Sequence, residues 1–105
     1  MSFRVTFLPE ARQDMDSIEE YLSQFYPSTS RKFFLKLNNQ VTSLETMPYM
    51  YPVYELDVFF RRMVIDDYLL FYNVDDNINR VVIHRIFHSK RDISQHILDY
   101  RKTDT

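Results

Sequence analysis

The residue pattern predicts an α+β fold of two layers: an N-terminal strand, a helical hairpin, an antiparallel meander of three to four strands and a short C-terminal helix. Three observations carry this. Apolar residues step by three and four through residues 11–44. They alternate with polar ones in β-rich segments between 58 and 87. Short polar punctuation, with no long linker, separates the pieces. The 105 residues are 45% hydrophobic and 16% aromatic, enough for one domain over 1–105 with a real core.

Each element has a local reason. "FRVTFL" (3–8) is built of β-formers. Pro9 suits the first turn of a helix, where a missing N–H costs nothing. Ala11, Met15, Ile18, Leu22 and Phe25 then make one apolar helical face, and the helix should stop near Tyr26-Pro27. "STS" (28–30) offers N-cap hydroxyls for a second helix. That helix has an apolar face of Phe34, Leu37, Val41 and Leu44 and is expected to end by Pro48. "MPYMYPVYELD" (47–57) reads as a loop or short edge strand, since two prolines disfavour a central strand. Strands follow at 58–65, 68–74 and 78–87. Asp66-Asp67 and Asp75-Asp76-Asn77 separate them, residues that tolerate the left-handed region without glycine. Ser89 and Asp92 resemble a capping box, and Ile93, Ile97 and Tyr100 share one side of the final helix.

Composition removes several function classes. Glycine is absent, so neither a P-loop nor a dinucleotide-binding fingerprint can form. A nucleophile elbow is excluded for the same reason. There is no cysteine, hence no disulfide framework and no thiolate metal site, and a reducing cytoplasmic setting is expected. No stretch has the apolar length of a membrane span. The net charge of −2 hides a polarity: residues 1–79 carry −5 and residues 80–105 carry +3, with all three histidines in the second part.

The basic end is "VVIHRIFHSKRD" (81–92). Strand alternation, followed through the meander, sets Met63, Ile65, Phe71, Val81, Ile83 and Phe87 against the helices. Arg62, Tyr68, Tyr72, Arg80, His84 and His88 then share the face left open. Arg61, Arg85 and Lys90 add to this candidate set for binding RNA or an acidic protein partner. Cations interleaved with aromatics suit phosphates and stacked bases, though antiparallel sheets also often carry an ordinary polar face. His84 and His88 cannot share one metal, because four residues of strand span roughly 13 Å. No metal or other cofactor is expected.

The element order, "RRMVIDDYLLFYNVDD" (61–76), the ending "VVIHRIFHSKRD" and the opening "FLPEARQDMDSIEEYL" (7–22) resemble the RelE/ParE superfamily of toxins from type II toxin–antitoxin modules. The resemblance implies a cytoplasmic toxin restrained by a cognate antitoxin. Some members cut mRNA on the ribosome; others inhibit DNA gyrase and have no nuclease activity. The nuclease reading comes first here, with Arg62 and Arg91 on the phosphate. The position six past Arg91, tyrosine in some nuclease members, is Ile97, so His88 or His96 would move the proton. The gyrase-inhibitor reading, and that of a degenerate antitoxin-binding protein, stay open beside it. The nuclease reading requires Arg62, His88 and Arg91 to reach one bound anion on the open side of the sheet.

Overall fold

A computed structural model describes residues 2–90 and 93–104. Strand β1 (Arg4–Phe7) is followed by helices α1 (Pro9–Phe25) and α2 (Pro27–Ser43). Strands β2 (Arg61–Ile65), β3 (Tyr68–Asp75) and β4 (Arg80–His88) come next, and helix α3 (Ile93–Asp104) closes the chain. This is the expected α+β order. The sheet order is β1-β4-β3-β2. β1 lies parallel to β4, and the other pairs are antiparallel. β4 is therefore an inner strand, which its nearly continuous valine and isoleucine require.

Both hairpin helices begin on proline, Pro9 and Pro27. Pro27 also forces Tyr26 out of the helical region, to φ −144° and ψ 72°, which ends α1. The expected serine cap is not used. α2 starts two residues earlier than a Ser28 cap would allow, because Pro27 presets the first turn and has no N–H to satisfy. Ser30 is instead buried inside the helix, and the Ser23 hydroxyl donates to it at 3.3 Å. α2 stops at Ser43, with Leu44–Thr46 continuing as turns short of Pro48. β2 begins later than expected, because residues 55–60 fold into turns on Asp57: its carbonyl accepts Phe60 N–H, and its side chain accepts Phe59 N–H. Asp66 and Asn79 supply the left-handed turn positions, with φ of 50° and 51°.

The sheet faces differ from the expected ones, for two reasons. First, the two-residue turn at Asp66-Asp67 sets Ile65 opposite Tyr68, Met63 opposite Leu70 and Arg61 opposite Tyr72. Opposed residues share a face. Tyr68, Leu70 and Tyr72 therefore lie with Met63 under the hairpin, and Phe71 lies with Arg62 on the other side. Second, β4 carries a bulge. Phe71 pairs with Arg85 and Tyr72 with Ile83, which leaves His84 as an extra residue. Val81 and Ile83 face the hairpin before the bulge, and Ile86 faces it afterwards. Phe87 is thereby turned to the opposite side, and His88 to the hairpin side. The expected positions of Phe71, Tyr68, Tyr72, Phe87 and His88 are all corrected by these two features.

Two cores result. Ala11, Ile18 and Leu22 of α1 and Phe33, Leu37 and Val41 of α2 pack on Met63, Leu70, Tyr72 and Ile83. Phe33 takes the buried place expected for Phe34. Phe25, at the end of α1, is 56% exposed. On the second face, Tyr54, Phe60, Phe71 and Phe87 receive Ile93 and Ile97 of α3. That face is roofed by the chain's own C-terminal helix rather than left open. Each fully buried aliphatic or aromatic side chain here contributes roughly 1.5–3 kcal/mol against exposure.

Beyond the end of β1, the bulged part of β4 has an open edge, and Asp14 of α1 covers it. Its carboxylate accepts Arg85 Nε at 2.8 Å, Arg85 Nη2 at 3.0 Å and the Ile86 N–H at 2.9 Å. Replacing Asp14→Ala should destabilise the fold by about 2–3 kcal/mol, because it strands a half-buried guanidinium and a backbone donor together. Asp14→Ala/Arg85→Met should recover part of that loss, since no uncompensated charge remains. Urea midpoints of the three proteins measure both effects.

Tyr72 is fully buried and its hydroxyl donates to Pro48 O at 2.8 Å, pinning the chain after α2. Burial pushes its phenol up to about 12, with Arg61 pulling the other way. One of the eight tyrosines should therefore ionise late in a spectrophotometric alkaline titration, and Tyr72→Phe should remove that late step. The unfolded phenol ionises near 10. This group's contribution is thus intact below pH ~10 and is lost as pH rises through about 12.

Candidate functional site

The candidate residues divide between the two faces. On the α3 side, His84 is the bulged residue, 6% exposed. Its Nδ1 lies 2.7 Å from the Tyr100 hydroxyl and its Nε2 2.7 Å from Asn73 Oδ1. A neutral ring satisfies both contacts, with Nε2–H donating to Asn73 and Tyr100 O–H donating to Nδ1. Phe59, Phe60 and Tyr100 close on its ring edge-on, with centroids 5.2–5.7 Å away. His84 is a structural histidine that ties β4 to α3; both its nitrogens are occupied.

Around it lies a cluster of cations on aromatic rings. Arg85 sits 4.5 Å from the Phe87 ring centre, and the His96 ring stacks on Phe87 at 5.6 Å. Arg101 lies 3.9 Å over Phe59, and its Nε donates to Asp57 at 2.9 Å. The second contact fastens the end of α3 to the turn at 55–60. Arg62 projects to this same side, opposite Phe71. The sequence reading missed Tyr100 as the partner of His84, Arg101 as the clamp and Asp14 as the anchor of Arg85. Only Tyr100 had a local signal, its helical spacing from Ile97.

His88 is on the opposite side. Its ring meets Tyr68 edge-on at 5.2 Å, and its Nδ1 accepts the Lys90 N–H at 3.1 Å. That contact leaves the neutral ring's proton on Nε2. His88, Tyr68 and Tyr21 line a cleft of about 290 Å³ between α1 and the end of β4. Arg61 is occupied structurally: its Nη1 donates to the carbonyls of Tyr51 at 2.8 Å and Tyr49 at 3.4 Å. Tyr72 is sealed in the first core. Arg80 stands at the far end of β4, at the start of the strand, and Lys90 is exposed.

The expected gathering of Arg62, His88 and Arg91 around one anion is therefore not what forms. The bulge and the register place Arg62 and His88 on opposite faces of the sheet. Arg91, and Asp92 of the expected capping box, lie outside the described residues. The α3 side carries cations and rings stacked together: Arg85 and the His96 ring on Phe87, and Arg101 on Phe59.

No curated protein matches the sequence. The fold does have solved relatives. A chain of a chromosomal ParDE toxin–antitoxin system from P. aeruginosa superposes with a TM-score of 0.72 at 16% identity, covering 85% of this chain and 98% of that one. A chain of the RelBE2 toxin–antitoxin complex from Mycobacterium tuberculosis gives 0.58 at 22% identity, covering 84% and 99%. A chain of the archaeal RelE–RelB complex from Pyrococcus horikoshii gives 0.54 at 17% identity, covering 87% and 99%. No helix among the described residues is long and apolar enough to cross a membrane. Residues 5–93 match the family described as the ParE toxin of the type II toxin–antitoxin system parDE. That match spans most of the chain, from β1 into the start of α3, and with the RelE-like two-layer fold it makes this protein a member of the ParE toxin family.

Proposed function

We propose that this toxin arrests its target by binding it rather than by cutting RNA, that the target is DNA gyrase, and that a cognate antitoxin holds the toxin inactive in the cytoplasm. The observation that carries this reading is the separation of His88 from Arg62, the candidate phosphate cation. His88 lies on the hairpin face and Arg62 on the α3 face; His96, the other candidate, shares the side of Arg62, with its ring stacked on Phe87. In-line cleavage of a phosphodiester needs those groups within hydrogen-bond reach of the same few atoms. Binding needs only surface. The ParE family match supports the same choice.

The surface for partners is present. Tyr21, Phe25, Tyr26 and Leu35 of the hairpin are each more than half exposed, and Tyr21 and Tyr26 lie beside His88. Large apolar side chains left in water on a small domain mark contact sites. We assign the antitoxin's docking segment to this hairpin face, because α3 occupies the face on which a docking site was expected. The solved relatives include a RelBE2 toxin–antitoxin complex and an archaeal RelE–RelB complex, which is consistent with a partnered toxin.

The test measures both activities on the same protein. Micromolar toxin should abolish gyrase supercoiling of relaxed plasmid. Primer extension on message translated by purified ribosomes should show no new ends. The variant His88→Ala/His96→Ala should keep growth arrest within about twofold, whereas loss of a true general acid or base costs 10²–10⁴-fold. Message cleavage that disappears in the variant would overturn the proposal and restore the nuclease reading.

A further inference from the structure

At the opposite end of the sheet from His88, the start of β4 pairs with the start of β1, and the pair in register is Arg4 with Arg80. Two guanidinium groups thus stand on adjacent strands, whose spacing is about 4.8 Å. Like charges so placed repel unless something between them carries the opposite sign. Among the described residues, no carboxylate is ion-paired to either guanidinium. The ion pairs among the described residues join Lys36 to Asp66, Arg85 to Asp14 and Arg101 to Asp57, and none reaches Arg4 or Arg80. Asp75, opposite Arg80 on β3, instead accepts the Asn77 N–H within its turn. The Nε of Arg80 is buried and has no hydrogen-bond partner. A buried charged donor left unpaired is costly, and in a folded protein it calls for an explanation.

The same two arginines line a cleft of about 520 Å³, a size typical of small-molecule sites. Its lining is mainly polar, from the arginines, Asn79 and Glu45, with Phe3 and Ile78 at an apolar margin. Phe3 is further backed by the edge of Tyr49, at 6.3 Å. The volume is much more than one oxyanion needs, and Glu45 would repel a ligand that were anionic throughout. A ligand with a phosphate at one end, a flat apolar part and hydrogen-bond donors at the other matches all of these features.

We propose that Arg4 and Arg80 form the phosphate subsite of a nucleotide-binding cleft at the β1–β4 end of the sheet. The phosphate bridges the outer nitrogens of the two guanidinium groups. The base lies along Phe3 and Ile78, and a sugar hydroxyl or exocyclic amine donates to Glu45. The site is separate from the hairpin and α3 surfaces, so it stands or falls independently of which macromolecule the toxin arrests.

The full-length protein labelled with ¹⁵N, titrated with AMP, adenosine and inorganic phosphate at constant ionic strength, tests this. AMP should shift the Arg80 Nε–H resonance in a saturable way. Adenosine should bind more weakly by about tenfold or more, the usual worth of a charge-assisted contact. Arg4→Gln should lose AMP affinity by a similar factor. Arg4 is exposed at the sheet edge, so this variant tests charge without disturbing the core. An Arg80 resonance that AMP leaves unmoved, or an Arg4→Gln protein that binds AMP as well as the parent, overturns the site. Phosphate binding as tightly as AMP would overturn the nucleotide assignment and leave a bare anion site.

Discussion

β4 is flanked by β3 along its length and by β1 along its first half, is apolar on both faces, and the bulge at His84 decides what each face receives. With an unbroken strand, the side that holds Ile83 would next receive Arg85 and Phe87. The hairpin core would then have to bury a guanidinium and a large ring where Ile86 now fits. One extra residue exchanges the faces halfway along the strand. Ile86 enters the first core, while Arg85 and Phe87 are delivered to the second. The bulge also bends the strand where β1 has ended, and the backbone donor freed there is the one Asp14 accepts. The sheet, α1 and α3 are thus linked through three consecutive residues: His84 to Tyr100, Arg85 and Ile86 to Asp14.

This explains which parts of the molecule could be read from the residues and which could not. Helices and strands were legible because their causes are local: proline at a first turn, apolar spacing, aspartate and asparagine in tight turns. Even α3 was visible from Ile93, Ile97 and Tyr100. The bulge was not, since no residue type marks it. "VVIHRIF" alternates as plausibly without an extra residue as with one. The side of the sheet on which Phe71, Phe87 and His88 fall depends on pairing across strands, which alternation within one strand does not determine. The consequence was a candidate site composed of residues from opposite faces. Asp14 and Arg85 were equally hidden, being 71 residues apart in sequence with no motif joining them.

The absence of glycine has a structural counterpart. Turns at Asp66 and Asn79 use short polar side chains, which visit the left-handed region at modest cost. Their carboxylates and amides are then available locally, and Asp66 also holds Lys36 at 2.8 Å from the end of the hairpin turn. The pair is exposed, so its energetic weight is small. Its geometric effect is to tether the β2–β3 turn to α2, one of the two helices of the hairpin face.

Function follows from how the second face is closed. An open, concave, basic sheet could admit a folded RNA strand and bring catalytic groups to it. Here that face is occupied by Ile93 and Ile97, and Arg101 clamps the helix to the Asp57 turn while packing on Phe59. The cations that remain on this side are spread across aromatic rings rather than aimed at a common point. Such a surface can recognise a partner through planar stacking and charge, with the rings held rigid by their neighbours. At His84 both ring nitrogens are engaged, one with the Tyr100 hydroxyl and the other with Asn73 Oδ1. On the proposed binding reading, the contact of His84 with Tyr100 fixes the helix that forms this surface, and the toxicity rests on what the surface covers.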